Sequence, residues 1–486
     1  MNIETSKTKP ANKAQGVNEY ERERVPDSKL KGIGSFVGMY AGEHAAGTEF
    51  VIGPLFVAHG VSAVELVIGL LIGNLLAVLS WALICAPIAV KNRITLYYQL
   101  EKICGSKLVN FYNIANGLMF CFLAGSMIAV SATAIGIPFN MKMPGLNDFY
   151  PNSISWILAV FFVGAIITVV AMRGYEMVAK VANIAAPWMI LVFLSAGIAV
   201  LPELGVSSIG EFWSVAKEKI WVGATASDVS KFNFWHVTFF AWFANMAMHI
   251  GMADMSVLRY AKKWQYGFSS ATGVYIGHYM AWIAAGILYS VVLIQIVPEG
   301  YTLAEYLPQV TSGDLPPVAP GPLAFNAAGL AGAICVVIAG WTTANPTIYR
   351  AGLAFQSIFP KQNRMQVTMI AGAVATIGAI FPALVMKLLD FVALYGLVLM
   401  PMGAVIFIDH YFMKKFNLHS NYAELAGIKF NAPAGIAWIV TLCICVGLNI
   451  FGGVEIFFLG LPGWFIAAIL YIVSSKIAQK KQLVIN

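Results

Sequence analysis

Residues Gly42, Glu43, His44, Ala45, Ala46, Gly47, Thr48 and Glu49 place two carboxylates, an imidazole, a hydroxyl and two glycines in one short run of an otherwise apolar stretch. Such groups can hold a cation, move a proton or bind the polar edge of a small solute. A second run, Phe240 to Asn245, adds Trp242 and Asn245 and is followed by His249 and Asp254. A third, Ala339 to Thr347, brings together Trp341, Thr342, Thr343, Asn345 and the helix breaker Pro346. Hydroxyl oxygens suit a hard cation such as Na⁺, and a buried Asn both donates to and accepts from a polar ring edge.

The elements that carry these runs are set by hydropathy. Of 486 residues, 59% are hydrophobic and 11% are charged, against roughly 25% charged in soluble domains. A hydrocarbon core needs about 20 apolar residues per helix. That ruler predicts spans near 32–58, 62–88, 110–137, 153–171, 177–201, 233–257, 268–297, 324–357, 366–386, 389–413, 432–451 and 457–475. The expected fold is therefore an all-α integral membrane protein of twelve transmembrane helices. Of the 30 lysines and arginines, only Lys142, Lys217, Lys219, Lys231 and Lys387 fall in the segments on one side. This bias predicts a multi-pass protein of the cell (inner or plasma) membrane with both termini cytoplasmic. The first span has no cleavage pattern and follows a polar leader, so it is read as a retained helix.

The net charge of +7 is spread over alternate loops without interleaved aromatics, which excludes a nucleic-acid partner. Six cysteines lack metal or redox spacing and read as core residues. No positioned nucleophile and base and no metalloprotease motif is present, so the chain is not read as an enzyme; a membrane-embedded enzyme or a channel is the remote alternative.

An ionisable side chain at mid-bilayer costs about 2.5–3.5 kcal/mol on insertion scales. Glu43, His44 and Glu49 therefore argue for a helix broken at its glycines and lining a solute path. The competing reading puts Glu43 and His44 nearer an interface, with Glu49 paired. Asp254 is expected to pair locally with Arg259 or to cap a helix. Trp242, on periodicity alone, is a packing or interface residue. Thr342 and Thr343 could instead bond to their own preceding turn, with Pro346 making a kink. Glu65, His278 and Asp390 read as satisfied structural residues. Spans one and six open the two halves of an inverted repeat, spans three and eight are equivalents, and the polar breaks fall at matched places, as in transporters with broken helices.

These segments resemble the nucleobase:cation symporter-1 family over most of residues 30–475. The resemblance is carried by Gly60-Val61-Ser62 leading to Leu71-Ile72-Gly73-Asn74-Leu75-Leu76, by Trp341-Thr342-Thr343 with Tyr349, and by Pro401-Met402-Gly403 running to Asp409-His410-Tyr411-Phe412. It implies a LeuT-type five-plus-five inverted repeat plus two C-terminal helices. The implied layout is a cytosolic tail over 1–31, repeats over 32–201 and 233–413, an extracellular loop over 202–232, helices 11 and 12 over 414–475, and a cytosolic tail over 476–486. It also implies cation-coupled uptake, with Na⁺ or H⁺, of a nucleobase or related planar nitrogen heterocycle by alternating access. The implied cation site comprises backbone carbonyls of Glu43, Ala46 and Ala339 with the hydroxyls of Thr342 and Thr343. The substrate site implied by the resemblance comprises Phe120 and Trp242 as stacking partners with Ala241, and the residues themselves add Gly47, Thr48 and Glu49 of the break and Asn345 with Thr347 on the polar edge. The chain departs from the family at Glu49 and at Ala344–Thr347. An acid at 49 suits a cationic or vitamin-like heterocycle, or a coupling proton. No organic cofactor is implied; the partners are the solute and the lipid bilayer.

Overall fold

Backbone that crosses hydrocarbon must satisfy its own N–H and C=O groups, and in this chain it does so by helix. The computed structural model describes residues 19–145, 148–386 and 388–485, with side chains described outside 385–391 and 481–485. Lys7, Lys9, Lys13 and Lys387, and the side chains of Asp390 and Lys481, lie outside that set. Among the described residues there is no strand, only the isolated bridges Lys31–Ala261 and Ser62–Val222.

The first expected span is two helices, α1 (Ile33–His44) and α2 (Glu49–Ala58), separated by four non-helical residues. Then come α3 (Ala63–Asn92), α4 (Ser106–Phe139), α5 (Ile154–Met172) and α6 (Tyr175–Leu204). The sixth expected span is again broken, into α7 (Phe234–Phe243), α8 (Met246–His249) and a last turn at Met255–Leu258. The chain continues with α9 (Trp264–Ile294), α10 (Pro320–Ile358), α11 (Arg364–Ala379), α12 (Val392–Tyr411), α13 (Ala432–Gly452) and α14 (Ile456–Lys480). Nine of these are long and apolar enough to cross a membrane. The other three expected spans are the two broken segments and the 16-residue α11. In α10 the helical dihedrals fail at Ala328 and Gly329 (φ +57°), not at Pro346, so the expected kink lies five turns earlier.

Two groups of helices pack around the breaks. In one, α1 and α2 lie against α9, and α3 lies along α7. In the other, α4 runs against α10, and α11 packs on both α4 and α5. Helix α6 bridges them, touching α1, α9 and α10, while α12, α13 and α14 pack on one another. Ser62 starts α3 with a capping box, its hydroxyl donating to Glu65 at 2.7 Å while the Glu65 N–H returns to it.

Charge sorts the two ends. Arg22 pairs with Glu101, Arg93 with Asp27, Lys31 with Glu176, Lys102 with Glu424 and Arg364 with Glu21. The segments carrying these residues therefore share one basic face. On the opposite face the Phe232 N–H donates to the His59 carbonyl and the Ala63 N–H to that of Trp221.

Close helix contact depends on glycine. A Cβ at Gly53 in α2 would stand 2.4 Å from the Trp282 carbonyl and 2.7 Å from the Ala285 methyl of α9. Gly53→Ala is therefore expected to destabilise the fold by about 1–3 kcal/mol. A lowered thermal midpoint of the purified protein checks this; an unchanged midpoint contradicts the close approach of α2 and α9.

Candidate functional site

The break in the first span begins where α1 ends at Ala45 (φ −86°, ψ 59°) and closes where α2 restarts at Glu49. Gly47 lies between because the backbone there runs against α4 and α10. A Cβ on it would meet the Val130 Cγ1 at 2.8 Å and the Val336 carbonyl at 3.2 Å. The second break, at Ala244 and Asn245 between α7 and α8, faces the same space.

A cavity of about 530 Å³ opens between these two breaks. Its floor is made by Glu43, His44, Ala46, Thr48, Glu49, Asn245, His278, Thr343 and Thr347, and Phe240, Phe243, Trp282 and Tyr395 form aromatic walls. It reaches His59, Ser230, Phe232 and Glu455, which belong to the less basic end of the molecule.

Below the floor, toward the basic face, lies an ion cluster that the sequence reading missed. Arg350 of α10 grips Glu43 with both terminal nitrogens, at 2.5 and 3.1 Å, and reaches Asp254 at 2.6 Å. The other Asp254 oxygen accepts from Tyr40 at 3.0 Å and from the Trp81 indole at 2.6 Å. All three ionic side chains are buried. The expected partner of Asp254, Arg259, instead donates to the Tyr20 carbonyl and to the hydroxyls of Tyr260 and Tyr349. Those two hydroxyls in turn donate to the buried Glu19 carboxylate, at 2.8 and 2.9 Å. Arg350 had been counted with the loop charges, yet it lies inside the span assigned to residues 324–357. An arginine there needs a buried anion, and Glu43 was the available signal.

Of the residues assigned to the cation, Thr343 reaches across to the first break, while Thr342 keeps its hydroxyl on its own preceding turn and against Met189 Sδ at 3.6 Å. The Thr343 hydroxyl is 2.8 Å from the Glu43 carbonyl and 3.0 Å from that of Ala339. The Thr342 hydroxyl is 3.1 Å from the Ala339 carbonyl. The Ala46 carbonyl accepts the Glu49 N–H at 3.1 Å. This donor set is all neutral oxygen, which fits Na⁺ in chemistry. The formal charge also fits, because two carboxylates against one guanidinium leave one negative charge in the cluster alongside.

The residues assigned to the solute are divided. Thr48, Glu49 and Thr347 line the cavity. Glu49 accepts a hydrogen bond from the Trp282 indole N–H and lies 3.8 Å from His278 Nε2. Thr347 spends its hydroxyl on the Thr343 carbonyl at 2.8 Å. Gly47, Phe120, Ala241, Trp242 and Asn345 are not in the lining. Phe120 is buried and meets Tyr395 edge-on, with centroids 4.9 Å apart, so Tyr395 faces the cavity in its place. Trp242 turns toward α3, donating to Ser80 at 3.0 Å, and the ring stacked on it at 4.6 Å, Phe243, lines the cavity. Ala241 packs on Gly73. Asn345 is buried in α10 with neither side-chain atom hydrogen-bonded to protein. His278, expected to be structural, stacks on Trp282 at 4.5 Å and 10°, and its ring centroid lies 4.8 Å from that of His44.

Broken helices around an internal cavity, set in two packed groups, have counterparts among known structures. The chain resembles Mhp1, a nucleobase-cation-symport-1 family transporter, in a closed conformation with bromovinylhydantoin bound. Identity is 15%, coverage is 95% of this chain and 96% of that one, and the TM-score is 0.67. The fold is LeuT-type. A Na⁺-coupled sialic acid symporter in its substrate-bound outward-open state follows at 15% identity, 95% and 93% coverage and a TM-score of 0.65. The Eremococcus coleocola manganese transporter matches at 10% identity, 94% and 97% coverage and a TM-score of 0.54. No protein-family model matches the chain, and no curated protein matches it in sequence. The resemblance read from the sequence thus has a counterpart in three dimensions, at the level of fold.

Removing Arg350 would leave Glu43 and Asp254 facing each other without a counter-charge. Arg350→Ala is expected to cost about 3–5 kcal/mol, and Arg350→Ala with Asp254→Asn to recover part of it. Thermal unfolding of the two variants checks this; equal stability of Arg350→Ala and the native chain contradicts the cluster's role.

Proposed function

We propose that the chain is a secondary active transporter of the cell membrane. In this reading it couples Na⁺ to the uptake of a nucleobase or related planar nitrogen heterocycle by alternating access. The observation that carries the reading is the meeting of the Thr343 hydroxyl with the Glu43 and Ala339 carbonyls directly beneath the cavity floor. The same contact joins the broken first span to α10, so a cation held there would bias how the two helix groups sit against each other.

Thr342, Thr343 and the carbonyls of Glu43, Ala46 and Ala339 would hold the ion, which supplies positive charge beside the Glu43–Arg350–Asp254 cluster. The solute would enter from the less basic face, which the charge bias makes extracellular. It would sit on the floor formed by Thr48, Glu49, Asn245 and His278, with the ring of Trp282, Tyr395 or Phe243 against its plane. Rocking of the group containing α1, α2, α3, α7 and α9 would then part the Glu19 and Arg350 contacts on the basic side and release both inward.

Coupling to H⁺ through Glu43 or Glu49 is the second reading, favoured by the uncompensated negative charge of the cluster and by the carboxylate of Glu49 facing the cavity. Uptake into liposomes with Na⁺ and pH gradients imposed separately decides between them. The Na⁺ reading expects a Na⁺ gradient alone to drive accumulation, and Thr342→Ala with Thr343→Ala to lower Na⁺-dependent uptake by tenfold or more, about 1.4 kcal/mol of coupling. Uptake that follows the pH gradient and ignores Na⁺ overturns it.

A further inference from the structure

The charges that line the cavity have one sign. Glu43 and Glu49 lie at its floor and Glu455 at its mouth, and among the described residues no lysine or arginine lines it. Glu43 is already engaged by Arg350, and Glu455 approaches His236 at 3.6 Å. Glu49 differs from both. The groups that donate to it are neutral, the Trp282 indole, the Thr48 hydroxyl and the Ala46 backbone N–H, and the nearest nitrogen that could carry charge, His278 Nε2, stands 3.8 Å away.

The imidazole beside it points to the same kind of partner. His44 Nδ1 lies 2.9 Å from the Tyr40 carbonyl, which can only accept, so this nitrogen carries the proton. In the neutral ring Nε2 is then an acceptor, and it is buried in the cavity lining with no protein partner. The floor thus offers a carboxylate with neutral donors but no cationic partner, and an imidazole lone pair with no donor. His278 and Trp282, stacked on each other, add aromatic surface next to Glu49, and aromatic faces attract cations.

We infer that the transported solute is a cation, a protonated amine, amidine or ring nitrogen that seats on Glu49 and donates a further hydrogen bond to His44 Nε2. The inference rests on the transporter reading and narrows its substrate class. It also disfavours anions, for which the lining provides no counter-charge.

The test uses the full chain in lipid nanodiscs at pH 7 with Na⁺ held constant, measuring equilibrium binding of four probes. Three share one pyrimidine bearing an aminomethyl, a methyl or a carboxylate group; the fourth is methylammonium, a cation with N–H donors and no ring. The aminomethyl form is expected to bind about tenfold or more tightly than the methyl form, the scale of one charge-assisted hydrogen bond. The carboxylate form is expected not to bind, and Glu49→Gln to erase the gap between aminomethyl and methyl. A methyl form that binds as well as the aminomethyl form overturns the inference, as does a gap that survives in Glu49→Gln. So does a failure of both cations to bind. Failure of the heterocycle reading looks different: methylammonium binds and none of the pyrimidines does, which leaves selection for a cationic donor standing. The series on the native chain gives an answer even if the Glu49 variant does not fold.

Discussion

The structure depends on one guanidinium. Arg350 projects from the longest helix, α10, and holds Glu43 at the end of α1 and Asp254 just beyond the second break. It therefore binds both interrupted segments to the helix group that does not contain them. A buried ion pair contributes little net stability compared with an apolar core of equal volume, because desolvation opposes the Coulomb gain. What it supplies is definition: the two interrupted segments are fixed in one arrangement against α10. The Tyr40 hydroxyl and Trp81 indole complete the coordination of Asp254, so its buried oxygens are not left without donors.

From that anchor the remaining features follow in order. With Glu43 held from below, its carbonyl is presented to Thr343 and its helix ends, which leaves Ala46 and Thr48 of the break to line the cavity floor. The Glu19 carboxylate and the Arg259, Tyr260 and Tyr349 side chains add a second layer on the basic side. The cavity is consequently closed toward one face and continuous with the other, an arrangement suited to a protein that exposes one site to two compartments in turn.

Much of this was legible in the sequence because the membrane makes polar residues conspicuous. The break at Gly42–Glu49 and the hydroxyl pair Thr342 and Thr343 stand out against apolar neighbours, and the structure brings Thr343 of that pair to the Glu43 carbonyl at the break while Thr342 turns to Met189. The ring positions were not legible. Phe120 and Trp242 came from resemblance; Tyr395 of α12 stands between Phe120 and the cavity, and Phe243, the next residue along α7, takes the cavity face in place of Trp242, and no periodicity distinguishes either ring from ordinary packing residues. Arg350 is hard to read for a different reason: position 350 falls inside the expected span 324–357, but a basic residue near a span end is ordinarily a loop charge, and its anions, Glu43 and Asp254, come from distant segments. His278 was discounted because a lone histidine in a span carries no partner in sequence, whereas Glu49 reaches it from another helix.

The central claim is that the space between the two broken helices is reached from the less basic face and sealed from the basic face by Arg350. The direct measurement is the labelling of a single cysteine, Ala244→Cys, in a chain lacking its native cysteines, with a membrane-impermeant thiol reagent applied to either side of oriented vesicles. Ala244 lines the cavity and is half-buried. Reaction from the side of His59 and Glu455 with none from the side of Arg22 and Lys102 is the result this structure predicts. Equal reaction from both sides, or reaction only from the basic side, contradicts it.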